Sequence, residues 1–245
     1  MKEHPQAALP WEGAVNARHL AGDIYRMGRS EWLTERGWDQ VYQDGVRTVI
    51  DLRNPGERWR RPTDPVVGEV AMARFAVVQA PTEDPENPEY QTLFHPYMNH
   101  PRLYADIVRL FPAQVAAVFK ELAVAQGAVV LHCSAGRDRT GLIASLLLAL
   151  LGQAGRAVGE DELAARGINS WHLVAPVKHP YERYLAEEEL AEVVRERGRA
   201  VAEFVGGLDV RAFLLANSVT GAEIDSVIQR CSSAGPATRG PQDRG

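Results

Sequence analysis

The chain has 245 residues, 45% of them apolar and 24% charged, the profile of an ordinary globular protein rather than of collagen, a coiled coil or a disordered chain. Its 27 Lys and Arg against 32 Asp and Glu leave a net charge of −5, which argues against nucleic acid or an anionic membrane as a general partner. The longest apolar stretch, 142–151 with one Ser inside it, is too short to span a bilayer. The first residues lack the apolar core of a secretory signal, so a cytoplasmic location is expected.

Residues 1–12 read as an N-terminal extension. A helix is predicted over 35–43, and after Asp44-Gly45 a strand rich in β-branched residues over 46–52. A short strand over 75–78 ends before Pro81. From Pro81 to Pro101 five prolines are interspersed with Glu83, Asp84, Glu86 and Glu89 and with Tyr90, Phe94 and Tyr97. Irregular chain of that length reads as a lid-like binding loop or as an acidic spacer. A helix over 112–125 leads to a strand over 128–131, whose apolar run without alternation suits a buried parallel strand. A further helix over 140–151 ends at Gly152. The region 178–231 reads as helical, with a helix over 181–197 stopped by Gly198, a short one over 208–216, and a last one opened by the capping box Thr220-Gly221-Ala222-Glu223. Residues 232–245, rich in Ser, Gly and Pro, are predicted to form a disordered tail. Strands alternating with helices define an α/β class with a central, mostly parallel sheet flanked by helices, occupying 13–231 as one domain.

The chemistry concentrates where the third strand runs into His132-Cys133-Ser134-Ala135-Gly136-Arg137-Asp138-Arg139-Thr140-Gly141 and then an apolar helix. Consecutive amides in such a strand–loop–helix junction can face inward as a nest for a tetrahedral oxyanion, reinforced by the helix dipole. Gly136 allows dihedrals that a Cβ hinders. Cys133 stands under that positive field, which favours the nucleophilic thiolate, whereas Cys231 reads as a small buried hydrophobe. Arg139, at the far rim of the loop, can hold two phosphoryl oxygens in its planar fork. Thr140 can donate to the thiolate. His132 either braces the loop or is an ordinary packed histidine. Two cysteines so far apart cannot make a thiolate metal site, and no cofactor is expected.

These residues resemble the Cys-x5-Arg protein tyrosine phosphatase superfamily, and within it the atypical bacterial tyrosine and dual-specificity phosphatases whose loop reads His-Cys-x-x-Gly-Lys-Asp-Arg-Thr-Gly. Asn16-Ala17-Arg18-His19-Leu20-Ala21-Gly22 is similar to that group's opening motif, and Asp51-Leu52-Arg53 to its Asp-Leu-Arg turn. The resemblance implies a phosphatase fold, a Cys133 nucleophile, and a phosphate loop of Ser134, Ala135, Gly136, Arg137, Arg139 and Thr140. It also implies a general acid at Asp138, with Asp84 and Asp106 as upstream alternatives. Asp51 and Arg53 are candidates for loop support or for a strand-end salt bridge with Glu57. Arg18 and Arg26 are candidates for a cationic rim or for pairs with Glu12 and Asp23, and Trp32, Trp38 and Trp59 for core or loop anchors. Two departures stand out: Arg137 replaces the group's loop Lys, and His19 an acidic residue of the opening motif.

The implied activity is metal-independent phosphomonoester hydrolysis through phosphocysteine. Its favoured substrate is phosphotyrosine in a phosphorylated protein, with phosphoserine and phosphothreonine as further candidates. The alternative is a small-molecule phosphate such as a nucleotide, sugar or inositol phosphate. A phospho-binding module without chemistry would have little use for both Cys133 and Arg139, and a rhodanese-like sulfurtransferase would not need Arg139-Thr140.

Overall fold

A computed structural model describes residues 8–94 and 96–232. Five strands form one sheet in the order β1-β2-β5-β3-β4: β1 (Arg18–Ala21), β2 (Ile24–Met27), β3 (Val46–Asp51), β4 (Ala76–Gln79) and β5 (Ala128–His132). The β1–β2 hairpin is antiparallel and the other three pairings are parallel. Helices α1 (Glu35–Gln43), α2 (Glu69–Met72), α3 (Pro88–Leu93), α4 (Tyr104–Leu110), α5 (Pro112–Val124), α6 (Asp138–Leu150), α7 (Ala154–Val174), α8 (Glu187–Gly206), α9 (Val210–Ala216) and α10 (Gly221–Ser232) surround it.

The sheet is covered on both faces, which explains the unbroken apolar run of β5. Val129 and Leu131 enter a large core with Phe119, Leu142 and Leu146, while Ala128 and Val130 enter a second core with Trp11, Trp38 and Phe75. Every residue of β5 is buried. Helix α6 is apolar around its circumference because it lies inside the larger core, with all residues from Gly141 to Leu148 buried.

The expected strands and helices before residue 152 lie within two residues of their predicted ends, and the Thr220–Glu223 capping box forms as read, the Glu223 amide donating to Thr220 Oγ1 at 3.2 Å. Several expectations need correction. The hairpin β1–β2 and the 21-residue helix α7 were not predicted. Helix α8 starts at Glu187 rather than 181 and runs through Gly198. That glycine is a packing contact, since a Cβ there would meet Val158 Cγ1 of α7 at 3.1 Å. Residues 8–12, set apart by composition as part of an extension, are built into the body: Trp11 is 3% exposed and donates its indole N–H to Asp44 at 2.7 Å. The segment 81–101 is tied to the core by Tyr90, Phe94 and Met98 and contains α3. The remainder of the expected extension, 1–7, and of the expected tail, 233–245, lies outside the described residues. No helix among the described residues is long and apolar enough to cross a membrane.

Candidate active site

The loop between β5 and α6 owes its shape to outside donors. The Arg29 amide donates to Ser134 O at 3.0 Å, Asn16 Nδ2 to Ala135 O at 2.8 Å and Arg26 Nη2 to Gly136 O at 2.9 Å. With three successive carbonyls turned outward, the loop amides are left facing the opposite way, as an anion nest requires. Gly136 has φ +65°, and a Cβ on it would lie 2.5 Å from the Met27 carbonyl, so the close approach of the loop to β2 depends on glycine.

The donors are themselves held. Asn16 Nδ2 also donates to Ala164 O of α7 at 3.0 Å. Arg26, fully buried, reaches Glu160 Oε2 at 3.3 Å, and Arg18 Nε donates to the same oxygen at 3.0 Å. Arg18 is therefore not part of a cationic rim: it is 4% exposed, and burial lowers its pKa to about 10 despite Glu160. Arg26 leaves Asp23 to Arg230, at 2.7 Å. Behind the loop, His132 is enclosed and burial pushes its pKa down; Nε2 stands 3.8 Å from Asp51 Oδ2. Arg53 grips Asp51 through Nε and Nη2, both at 2.9 Å, and Glu31 through both terminal nitrogens. Asp51 and Arg53 thus form a buried brace whose further partner is Glu31 rather than the Glu57 carboxylate.

In front of the loop lies a cavity of about 620 Å³ lined by Cys133, Ser134, Ala135, Arg137, Asp138 and Arg139. Pro55 and Glu57 form one wall, Glu83, Tyr90, Pro96, Tyr97 and Met98 of the proline-rich segment another, and His179 and Glu182 a third. Arg139 donates to both Glu57 oxygens at 2.5 and 2.6 Å and to Glu83 Oε1 at 3.2 Å. Burial works to raise the Glu57 pKa, but Arg139 outweighs it and holds the carboxyl below its ordinary range. Glu83 behaves oppositely. Burial raises its pKa against the pull of Arg139 and of Tyr90.

Asp138 lines the cavity with both oxygens engaged, accepting from Arg137 Nε at 2.9 Å and from Arg197 Nη2 at 3.0 Å. The two upstream alternatives stand elsewhere. Asp84 is exposed and caps the Glu86 amide, and Asp106 pairs with Arg109 on the outer face of α4. The buried Thr140 hydroxyl has no hydrogen-bond partner, so its expected bond to Cys133 is not made. Arg137, the replacement for lysine, grips Glu182 through Nη1 and Nη2 at 2.9 and 2.8 Å, and Tyr97 donates to the same carboxylate at 2.7 Å. Against the cost of burial, Arg137 brings the Glu182 pKa down to about 2.

Arg26, a candidate for a cationic rim, instead supports the loop from behind, and Glu57, Glu83, Glu182, Arg197 and Asn16 were not predicted as site residues. Asn16 alone carried a signal, through the opening motif.

A family model described as the tyrosine phosphatase family matches residues 9–215. The chain belongs to that family. It is 31% identical over 167 residues to a Cupriavidus necator protein that carries a tyrosine-protein phosphatase name, covering 64% of this chain and 56% of that one. It is 33% identical over 121 residues to a tyrosine-protein phosphatase of Nostoc commune, covering 49% and 40%. The chain thus spans about half the length of the curated relatives it matches. Among solved structures it is similar to P. aeruginosa TpbA in complex with phosphotyrosine, at 17% identity and a TM-score of 0.48, over 90% of this chain and all of that one.

The depressed Glu182 carboxyl yields a pH prediction. A carboxylate whose folded pKa lies below its unfolded value stabilises the fold above the unfolded pKa and loses that contribution as pH falls through the folded one. The clamp between 175–186 and the loop should therefore weaken between pH 4.5 and about 2. Glu182→Gln should flatten the pH dependence of stability in that window and speed amide exchange in 175–186 at neutral pH. Unchanged exchange would show that Glu182 does not hold the segment.

Proposed function

We propose that this chain hydrolyses phosphomonoesters through a phosphocysteine, without a metal, and that its favoured substrate is phosphotyrosine in a protein. The observation that carries the reading is the loop with its carbonyls tied back, which sets Cys133 and Arg139 around one cavity. The Cys133 thiolate attacks phosphorus in line, forming the S–P bond as the bond to the leaving oxygen breaks. The loop amides and Arg139 hold the three equatorial oxygens as charge spreads over them. An acid protonates the leaving oxygen. Water then attacks phosphocysteine, gives its proton to the same carboxylate, and releases phosphate and the thiolate.

Asp138 is the first candidate for the acid, from its place in the loop and at the cavity. To carry a proton to the substrate, one of its oxygens must give up an arginine N–H. Glu83 is a second reading, favoured by its raised pKa and its place in the cavity lining. The aryl-phosphate preference is supported by the wall of Tyr90, Pro96, Tyr97 and Met98, which offers apolar and aromatic contact to a phenyl ring. Arg137 is already matched by Asp138 and Glu182, which disfavours its use as a second phosphate site for inositol phosphates.

Cys133→Ser should reduce turnover of p-nitrophenyl phosphate by about 10⁴-fold or more while vanadate still binds, and EDTA should leave the unaltered protein active; turnover surviving in the serine variant would contradict the mechanism. The acid is assigned by leaving group. The variant lacking it, Asp138→Asn or Glu83→Gln, should lose about 10²- to 10⁴-fold on phenyl phosphate and far less on p-nitrophenyl phosphate, whose leaving group needs no proton. A Glu83 donor would also place the alkaline limb of kcat above the ordinary carboxylate range. Equal losses on both substrates would assign that residue to binding.

A further inference from the structure

A second cavity of about 490 Å³ opens beside the first and shares Ser134, Ala135, Arg61, His179 and Glu182 with it. Its size falls within the range of about 300–1,000 Å³ in which ligand sites occur, and its character differs from that of the phosphate cavity. The walls are apolar and aromatic: Trp32 and Trp171 lie against each other at 4.3 Å between ring centroids, and Trp59, Ile168 and Val177 complete them. Its inner arginine, Arg29, is committed elsewhere, donating to Asp64 at 2.7 Å and pairing with Glu31 at 3.3 Å. Arg61 and Lys178 also line the cavity.

Two of the lining residues leave much of their apolar surface open to solvent. Trp59 is 58% exposed and Val177 48% exposed, and nearby Leu173 and Val174 at the end of α7 are exposed as well. Large apolar side chains left open around a cavity mark a contact surface, and tryptophan is the residue type that most often anchors one.

We infer that this cavity is a specificity subsite that receives an apolar, preferably aromatic, side chain flanking the phosphotyrosine of a protein substrate. The inference rests on the proposed phosphotyrosine activity and adds to it a sequence preference. Continuity decides the occupant. A phosphotyrosyl side chain would place its ring and phosphate in the first cavity, so an occupant of the adjoining one belongs to a neighbouring part of the same ligand. A nucleoside monophosphate has one aromatic system and cannot place a ring in both. An extended peptide presents side chains at intervals and can. The basic Arg61 and Lys178 suit a phosphorylated, net-acidic segment.

The test uses short phosphotyrosyl peptides with Gly and Ser around the phosphoresidue and one Phe placed in turn at each position from two before it to two after it. These are assayed with the unaltered protein, Trp59→Ala and Val177→Asp, beside p-nitrophenyl phosphate and AMP. Phe at one or two of the positions should raise kcat/KM about tenfold over the Gly/Ser parent, chiefly through KM. Both variants should abolish that gain and leave p-nitrophenyl phosphate turnover unchanged. A flat peptide series, or a gain that survives both substitutions, overturns the subsite while p-nitrophenyl phosphate turnover keeps the phosphatase reading intact. AMP hydrolysis that alone falls in the variants overturns it in favour of a nucleotide pocket. Absence of turnover of every aryl phosphate overturns the underlying activity and the subsite together.

Discussion

Three carbonyl groups turned the wrong way would undo this site. Ser134, Ala135 and Gly136 point their oxygens away from the cavity because a backbone amide, a side-chain amide and a guanidinium take them from outside. A loop of free peptide units would rotate some carbonyls inward, where they would repel an oxyanion. The β1–β2 hairpin and the residues flanking it supply all three donors. The cost is a fully buried guanidinium at Arg26, and Glu160 of α7 offsets it by pairing with Arg26 and Arg18 at once. Removing one partner of such a buried pair strands an uncompensated charge, an effect of about 3–5 kcal/mol. Helix α7 and the hairpin are therefore as much a part of the proposed phosphate cradle as the loop itself.

Electrostatically, the cavity is matched rather than simply cationic. Arg139 holds Glu57 and Glu83, Arg137 holds Asp138 and Glu182, and Arg197 holds Asp138 and Asp161. Under the proposed activity an incoming phosphoryl group must share or replace the Glu57 contacts on Arg139, so the net gain on binding is smaller than a free arginine would give. The same pairing keeps the guanidinium planes oriented before substrate arrives, and orientation fixed in advance is what stabilises developing charge cheaply. Glu83 is the exception. It is buried among these charges, and burial raises its pKa against the pull of Arg139.

The parts legible in the sequence were those whose determinants are local. The loop from His132 to Gly141 carries its meaning in spacing, β5 in an unbroken apolar run, and α10 in a four-residue cap. The illegible parts depend on distant partners. Strands β1 and β2 are four residues each and contain Arg18 and Arg26, a type that reads as exposed until Glu160, more than a hundred residues later, makes its burial possible. Arg197 sits among the charged residues of α8 with nothing to separate it from Arg195 or Arg199, yet it alone reaches Asp138 and Asp161. Glu83 and Glu182 lie in irregular segments where no periodicity singles out one acid from its neighbours, and Glu57 closes a single 3-10 turn too short to show one. Gly198 misled because a glycine after a run of charged helix formers matches a helix stop, whereas here it makes room for α7.

The central claim, that the loop amides form the oxyanion site, is most directly tested by titrating inorganic phosphate into ¹⁵N-labelled Cys133→Ser protein and following the backbone amide resonances. The account predicts saturable shifts at 134–138, with the Arg139 side-chain Nε–H moving at the same affinity, and loss of both when Asn16→Ala releases the Ala135 carbonyl. Shifts confined to Arg61 and Lys178, with the loop amides unmoved, would contradict it.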